Sequence, residues 1–565
     1  MKICGIKLTH DGCVALINNG KLEFSIEMEK LNNNPRFTSI EDTNIIAKIL
    51  SNFGYSVDDI DIFSIDGWGG TDQDALAIQP RLEIGDNKNY LSINFNGSAS
   101  KIGVAPYSEK TLKNDILEEW KFEELKLGSK KVQYSSYLHA AGHLMSTYCT
   151  SPFAKRKESS YVLIWDGGMY PRLYFIDPNK NIIENLGPLF LLIGNTYTIF
   201  SQHFGPFDVK GSFAKDNLSV AGKVMAYIAL GKTRAELYEI FDKIYKEGYD
   251  LPMGFANYLA NEFKKRIDRT KYSDEDILCS FHHYLEKLLV EKLNKKISRH
   301  GNLSKNICLS GGCALNIKWN SAVRNTGIYK EVYVPPFPND SGSAIGAACC
   351  AMYKYDNRFA LEWDVFKGTQ IIDTEIKQGW KKMSFSIKQL AKLMHDTDQP
   401  VVFLNDRSEL GPRALGNRSI LASATSHKMK DLLNKMKKRE YYRPVSPICI
   451  EEKAAEWFEP GIKDPFMLFD HSVKPNCKEK IPAVIHLDNT SRLQTVSRNE
   501  NYVLYELLSE YEKLSGIPLL CNTSANFNKK GFFPDIYSAM EWGEANYVYC
   551  NNNLYVKENQ NNLNI

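Results

Sequence analysis

A mixed α/β fold, spread over at least two domains, is what this sequence predicts. Three observations carry that expectation. At 565 residues the chain is too long for one hydrophobic core. Short apolar runs break at glycine or proline turns in YVLIWDGG, NICLSGGCALNIKWN and EVYVPPFPNDSGSAIGAACC, and the last two then open into helix-forming sequence. Residues 355–395 then turn charged and sparse in apolar side chains, which places a domain boundary near 365–385.

The elements follow in order. Ile3–Leu8, Val14–Ile17 and Leu22–Ile26 alternate or run apolar, separated by a His10-Asp11-Gly12 turn and an Asn-Asn-Gly turn, so they predict a three-strand meander. Residues 41–53 predict an amphipathic helix. Residues 58–135 are irregular. Within them, DIFSIDGW reads as a strand and 79–108 as a weakly alternating insertion that shapes a substrate site. YSSYLHAAGHLMSTYC turns helical, and 255–299 reads as two helices. A helix begins near Ala314, and the small residues at 342, 346, 347 and 348 require another helix to pack closely on a sheet. In the second half, Val401–Leu404 is a buried strand. The alternation around Arg492 predicts a strand, 499–515 a helix, and IPLLCNTS a strand that breaks at Asn522-Thr523-Ser524.

Composition excludes several functional classes. Hydrophobic residues at 43% and charged residues at 24% are ordinary for a soluble globular protein, and a net charge of +3 supports neither a nucleic-acid nor a membrane partner. The 12 cysteines include no CxxC pair, and no signal peptide or span of about 20 apolar residues is evident, so a reducing cytoplasm is expected. The tail NNNLYVKENQNNLNI is expected to fray at its end. There is no P-loop, dinucleotide fingerprint or GxSxG elbow.

Several clusters carry chemistry. His10 in its turn is a general base or, more plainly, a cap. His139 and His143 share a helical face at the spacing that lets two imidazoles reach one metal, and Asp166 follows at a strand end beside Gly167 and Gly168. Gly311 and Gly312 expose backbone N–H groups before a helix, where a phosphate or ribose can bind. GPRALGNRS and REYYRP supply Arg413, Arg418, Arg439 and Arg443. They make either an anion pocket or ion pairs with Glu409 and Glu440, with equal weight.

Taken together these motifs resemble the NodU/CmcH family of O-carbamoyltransferases. The matching pieces are the HDG turn, LHAAGH, WDGG, AGKVMA, LSGGCALN, NDSGSAIGA, GPRALGNRS, REYYRPVSP, MLF, PAVIHLDNTSRLQTV and NTSANF, in family order. The resemblance implies an actin/hexokinase-like domain over residues 1–370 and a YrdC-like α/β domain over 380–565. The second would form carbamoyl-adenylate from carbamoyl phosphate and ATP. The first would pass the carbamoyl group to a hydroxyl of a small specialised metabolite. Arg413, Arg443, Arg492, Asn522 and Ser524 would hold carbamoyl phosphate. His139, His143, Asp166 and Asp340 would ligate a divalent metal, iron or otherwise magnesium or manganese. Asp166, Gly167, Gly168, Gly311, Gly312 and Asn316 would line the nucleotide, and His10 would be the base. Lys30, Arg36, Arg418 and Lys223 are further candidates, and a homodimer is a candidate assembly.

Four departures from the family pattern stand out. Met169 follows the DGG turn where an acid is usual, and Ala221 precedes GK, with Asp216 the nearest acid. EKLNNNPRF replaces the usual basic stretch, leaving Lys30 or Arg36 as its contact, and GFFPD replaces the usual GEPIV. Two alternatives remain: a small-molecule kinase of the actin/hexokinase type, and a non-catalytic nucleotide-binding member.

Overall fold

A computed structural model describes residues 1–68, 89–109, 112, 115–208, 217–248, 255–372 and 374–558. Residues 79–88 of the weakly alternating insertion, Asp216 and the end of the tail lie outside them. The chain forms two compact units, the first from Met1–Ser25 and Ser39–Trp363, the second from Ile26–Thr38 and Asp364–Ile565. The second unit therefore draws on a stretch close to the N-terminus.

The first unit holds two sheets built on one plan. Strands β1 (Lys2–Lys7), β2 (Cys13–Asn18), β3 (Lys21–Glu27), β4 (Ile62–Asp66), β5 (Trp120–Leu127) and β6 (Lys130–Tyr137) lie in the order β3-β2-β1-β4-β6-β5. β1 is antiparallel to β2 and parallel to β4, which is parallel to β6. Asn19 and Gly20 link β2 to β3 with φ of 50° and 81°, the positive pair that a tight two-residue hairpin turn needs. Strands β7 (Ser160–Ile164), β8 (Arg172–Asp177), β9 (Ile182–Pro188), β10 (Asn306–Ser310) and β11 (Glu331–Tyr333) lie in the order β9-β8-β7-β10-β11. β8 is antiparallel to both neighbours, and β7, β10 and β11 run parallel. Each sheet is thus a three-strand meander extended by two strands parallel to its first, and the first sheet adds β5, antiparallel to β6, at its edge. That duplicated sheet is the actin/hexokinase-type arrangement. The insertion contributes a hairpin, Asn89–Phe95 with Ser98–Val104.

Helices α1 (His139–Cys149), α2 (Ile317–Asn325) and α3 (Ser343–Asp356) pack on these sheets. The small residues of α3 do more than meet a sheet. A Cβ at Gly346 would lie 1.9 Å from Gly142 O on α1, and one at Gly5 would lie 1.9 Å from Ala344 O. Ser64 Oγ on β4 donates to Ala347 O at 2.7 Å. Backbone therefore touches backbone on two sides of α3, which sets the depth of Asp340 just ahead of it. The two helices expected over 255–299 are Phe255–Arg266 and Asp274–Arg299, the latter capped by Ser273. After Gly311 a single 3₁₀ turn, Gly312–Leu315, precedes α2, so the helix starts three residues later than its sequence suggests.

The second unit holds an eight-stranded sheet and a small three-stranded one of Phe458–Glu459, His471–Val473 and Thr490–Ser491. The eight-stranded sheet is the larger. Its strands are β12 (Trp380–Ser384), β13 (Val401–Leu404), β14 (Arg418–Ala422), β15 (Ser446–Ile450), β16 (Gln494–Val496), β17 (Leu519–Ser524), β18 (Tyr547–Cys550) and β19 (Asn553–Lys557). Their order is β12-β19-β18-β13-β14-β17-β15-β16. Val401 and Phe403 enter one apolar cluster with Leu390, Leu504 and Leu508, while Val402 and Leu404 enter another with Met429, Leu433 and Ile536. Burial on both faces explains why this run is continuously apolar instead of alternating. Helices α4 (His427–Met436) and α5 (Tyr502–Ser515) supply parts of these two clusters.

Two local expectations change. Arg492 lies in the gap between the short strand Thr490–Ser491 and β16, not on a strand. The Asn522-Thr523-Ser524 stretch is the end of β17, paired with β15 at Ser446↔Asn522 and with β14 at Ser419↔Ser524. Side-chain amides and hydroxyls are common at strand ends, so polarity alone did not separate the two readings.

Candidate functional site

The first unit gathers charge from separate strand and helix ends. His139 and His143, one turn apart on α1, bring their Nε2 atoms within 3.1 Å. Asp340 Oδ1 lies 3.4 Å from each, and Asp166 reaches His139 at 3.8 Å and His143 at 3.9 Å. All four residues are buried, and their ligand atoms lie within 4.8 Å of one another. Spacing pointed to His139, His143 and Asp166, and the family resemblance added Asp340; neither pointed to the residues that hold them. Asp66, at the end of β4, is 2.8 Å from His139 Nδ1 and 2.9 Å from Lys7 Nζ. Lys7 Nζ also lies 3.0 Å from Asp340 Oδ2 and 4.0 Å from the Trp68 ring. Tyr107 Oη donates to Asp166 Oδ2, while Gly312 N donates to Asp166 Oδ1 at 2.7 Å. Lys7 and Asp66 sit in apolar strands, and Tyr107 in a stretch without periodicity, so none carried a signal.

Three buried carboxylates meet one buried ammonium here. Burial opposes charge on Asp340, yet Lys7 and then His139 hold its carboxyl well below the usual range. Burial likewise opposes charge on His139, and Asp66 overrides it, holding the imidazole well above its ordinary value. Three buried carboxylates beside one ammonium call for further positive charge, which a bound cation would supply. The donor set suits a cation. His139 is pinned through Nδ1, so its Nε2 faces His143 Nε2, and the carboxylate oxygens converge on the same point. The geometry thus accepts one divalent ion held by two imidazoles and two carboxylates.

His10 stands at the rim, half-buried. Its Nδ1 is 3.1 Å from Asp11 Oδ2 and its Nε2 3.6 Å from Asp340 Oδ2. Trp68 packs edge-on to both His10 and His139. Gly311 has φ 83°, and a Cβ there would meet Trp165 O at 2.4 Å, so only glycine lets β10 turn beside β7. Gly167 and Gly168 border Asn195 and Tyr107. Asn316 caps α2, its Oδ1 accepting from Lys318 N and Trp319 N. Lys223 is half-buried on the helix Asn217–Tyr227, as is Ala221, and Met169 is buried.

The second unit concentrates guanidinium groups. Burial and then Arg492, Arg36 and Arg443 hold Arg413 well below the ordinary guanidinium range. Arg439 is pushed down to about 9 by burial, then Arg443, Arg36 and Arg413, and Arg492 to about 10 by burial, then Arg439 and Arg443. Five arginines therefore repel one another in one place. Arg413 Nε and Asn522 Oδ1 are buried without a hydrogen-bond partner among the described residues. Arg492 Nε donates to Ser446 Oγ at 3.0 Å, and Arg439 donates to Thr523 Oγ1 and Ser524 Oγ at 3.0 and 3.4 Å. Arg439 thus faces the cluster, although the resemblance did not place it among the carbamoyl-phosphate contacts. Lys437, which the sequence reading passed over, donates to Ser524 O, Asn526 O and Asn526 Oδ1 at 2.9, 2.7 and 2.6 Å.

Two candidates donate to the protein itself. Arg418 is buried and donates to four carbonyls, Asn405, Asn417, Thr369 and Asp406. Lys30 Nζ donates to Glu27 Oε1, Glu409 O and Gly411 O at 2.8, 2.6 and 2.8 Å. Arg36, from the same loop, is the residue that joins the arginine cluster. Glu409 accepts from the backbone N–H groups of Leu415, Asn417 and Arg418, and Glu440 lies 3.8 Å from Arg443. Among the described residues no helix is long and apolar enough to cross a membrane.

Comparison with known proteins agrees across the chain. "Nodulation protein U" of Rhizobium tropici is 45% identical over 576 residues, covering 99% of this chain and 96% of that protein. The "3'-hydroxymethylcephem-O-carbamoyltransferase" of Streptomyces clavuligerus is 28% identical over 564 residues, covering 98% and 99%. Among solved structures, the activator of the 2-hydroxyisocaproyl-CoA dehydratase from Clostridium difficile aligns with TM-score 0.33 at 13% identity, over 63% of this chain and 96% of that one. The family model described as carbamoyltransferase N-terminus matches residues 2–349, and that described as carbamoyltransferase C-terminus matches 391–557. The chain is a member of the carbamoyltransferase family.

Proposed function

We propose that this protein is an ATP-dependent O-carbamoyltransferase acting on a hydroxyl of a small specialised metabolite. The observation that carries the reading is the crowding of Arg36, Arg413, Arg439, Arg443 and Arg492, whose mutual repulsion an anion relieves. Carbamoyl phosphate and the triphosphate of ATP are such anions. In the second unit, water releases carbamate and phosphate from carbamoyl phosphate. Carbamate oxygen then attacks the α-phosphorus of ATP, giving carbamoyl-adenylate and pyrophosphate. The arginines position these groups and offset their charge, and Asn522 and Ser524 add neutral polar contacts.

In the first unit, the acceptor hydroxyl attacks the carbamoyl carbon and AMP departs. His10, at the rim and oriented by Asp11, takes the hydroxyl proton. A divalent cation, iron or otherwise magnesium or manganese, would be held by His139, His143, Asp166 and Asp340, and when bound supplies a Lewis-acid anchor for nucleotide phosphate. Asp166–Gly168, Gly311, Gly312 and Asn316 line the nucleotide.

The test is product analysis with ATP, carbamoyl phosphate and a panel of hydroxylated acceptors. The proposal expects AMP, pyrophosphate, phosphate and an acceptor heavier by one carbamoyl group. ADP with a phosphorylated acceptor would identify a kinase instead. Tight ATP binding without turnover would point to a non-catalytic member.

A further inference from the structure

We propose that the buried Glu27–Lys30 pair is the positioning element of the arginine cluster; the proposal rests on the anion-binding reading above. Lys30 was a candidate ligand contact, but its ammonium is 1% exposed and its three acceptors all belong to the protein. Two of them, Glu409 O and Gly411 O, bracket the turn that delivers Arg413. Glu27 Oε1 grips the same turn from its other backbone group, accepting from Gly411 N at 2.7 Å. Gly411 is thus held at both its N–H and its C=O, with φ of 82°, two residues before Arg413.

The same short segment ends in Arg36. It is packed against the rest of the unit at Gly531, where a Cβ would lie 1.7 Å from Glu29 O, and Arg36 N donates to Lys529 O at 3.1 Å. One ion pair therefore sets the spacing between Arg36 and Arg413. Those are two like charges that spread apart unless something fixes them; Glu29 lies 3.6 Å from Arg36, and Arg413 Nε is buried without a hydrogen-bond partner among the described residues. Neither Glu27 nor Lys30 touches the ligand in this account. They act through the Gly411 turn.

The experiment is isothermal titration of carbamoyl phosphate, with inorganic phosphate as a second probe, into the wild-type chain and variants whose thermal unfolding is recorded in parallel. The variant Glu27→Leu/Lys30→Met removes both charges, so neither is left buried alone. The double variant strands Gly411 N–H, Glu409 O and Gly411 O, so a lowered melting temperature is expected; positioning expects the folded variant to bind both probes with Kd raised tenfold or more. Glu27→Gln keeps an oxygen for Gly411 N and is expected to shift Kd less than the double variant. Unchanged Kd in the folded double variant, or a lowered melting temperature with unchanged Kd, overturns the inference. If the double variant fails to fold, Glu27→Gln decides: wild-type Kd overturns the inference and a raised Kd supports it. Failure of the wild-type chain to bind either probe would instead remove the anion-site reading itself.

Discussion

His139 Nδ1 and Asp66 Oδ2 lie 2.8 Å apart with solvent excluded from both. The carboxylate accepts a hydrogen bond from Nδ1, which orients the ring so that Nε2 faces His143. An amide in place of Asp66 loses that charge and strands Lys7 beside one fewer carboxylate. Asp66→Asn is expected to weaken divalent-metal binding by about 10–100-fold. Titration of Mn²⁺ into metal-free wild-type and variant protein checks this, and equal affinities would remove Asp66 from the role.

Gly346 has no room for a methyl group, since its Cβ would lie 1.9 Å from Gly142 O on the helix that carries both histidines. Gly346→Ala must push α3 from α1, moving Asp340 relative to His139 and His143. The expected result is a loss of about 1–3 kcal/mol in stability, the usual range for overpacking, together with weaker metal binding. Denaturant unfolding and the same titration measure both.

The two halves of the proposed reaction separate by residue. Arg443→Ala is expected to reduce carbamoyl-adenylate formation by about 100-fold or more. His10→Ala is expected to leave adenylate formation intact and slow transfer by about 100- to 10,000-fold. Adenylate formation is read from pyrophosphate release without acceptor, and transfer from carbamoylated product. Wild-type transfer by His10→Ala would remove the base assignment.

Arg418 offers a contrasting arginine. It is wholly buried, and its two terminal nitrogens donate to carbonyls of Asn405, Asn417, Thr369 and Asp406. Arg418→Met leaves these acceptors unmatched, each worth about 1–3 kcal/mol when buried. The expected outcome is a strongly lowered melting temperature, with the folded remainder binding carbamoyl phosphate at wild-type Kd.

The sequence exposed what is periodic or local. Val401–Leu404, His139 with His143 and the small-residue face of α3 were each legible from spacing within a few residues. Lys7, Asp66 and Tyr107 were not, because each looks ordinary in its own segment and acquires meaning only when β1, β4 and the insertion deliver it to one point. Lys437 was missed for the same reason: one basic residue among several on and after α4, its three acceptors lie almost ninety residues away. Arg492 misled in the other direction. Apolar neighbours suggested an unbroken strand, whereas the backbone leaves the ladder there and frees the side chain for the cluster.

The second unit borrows Ile26–Thr38 from near the start of the chain. During synthesis that segment emerges first and then waits, because the turn at Gly411 and the strand edge near Lys530 that receive it are made hundreds of residues later. A fragment beginning at Asp364 would lack Glu27, Lys30 and Arg36 altogether. The natural cut between the halves is thus a poor place to divide the gene. A working C-terminal piece would need the early segment supplied as a peptide or rejoined by circular permutation, and its refolding would become dependent on the concentration of that peptide.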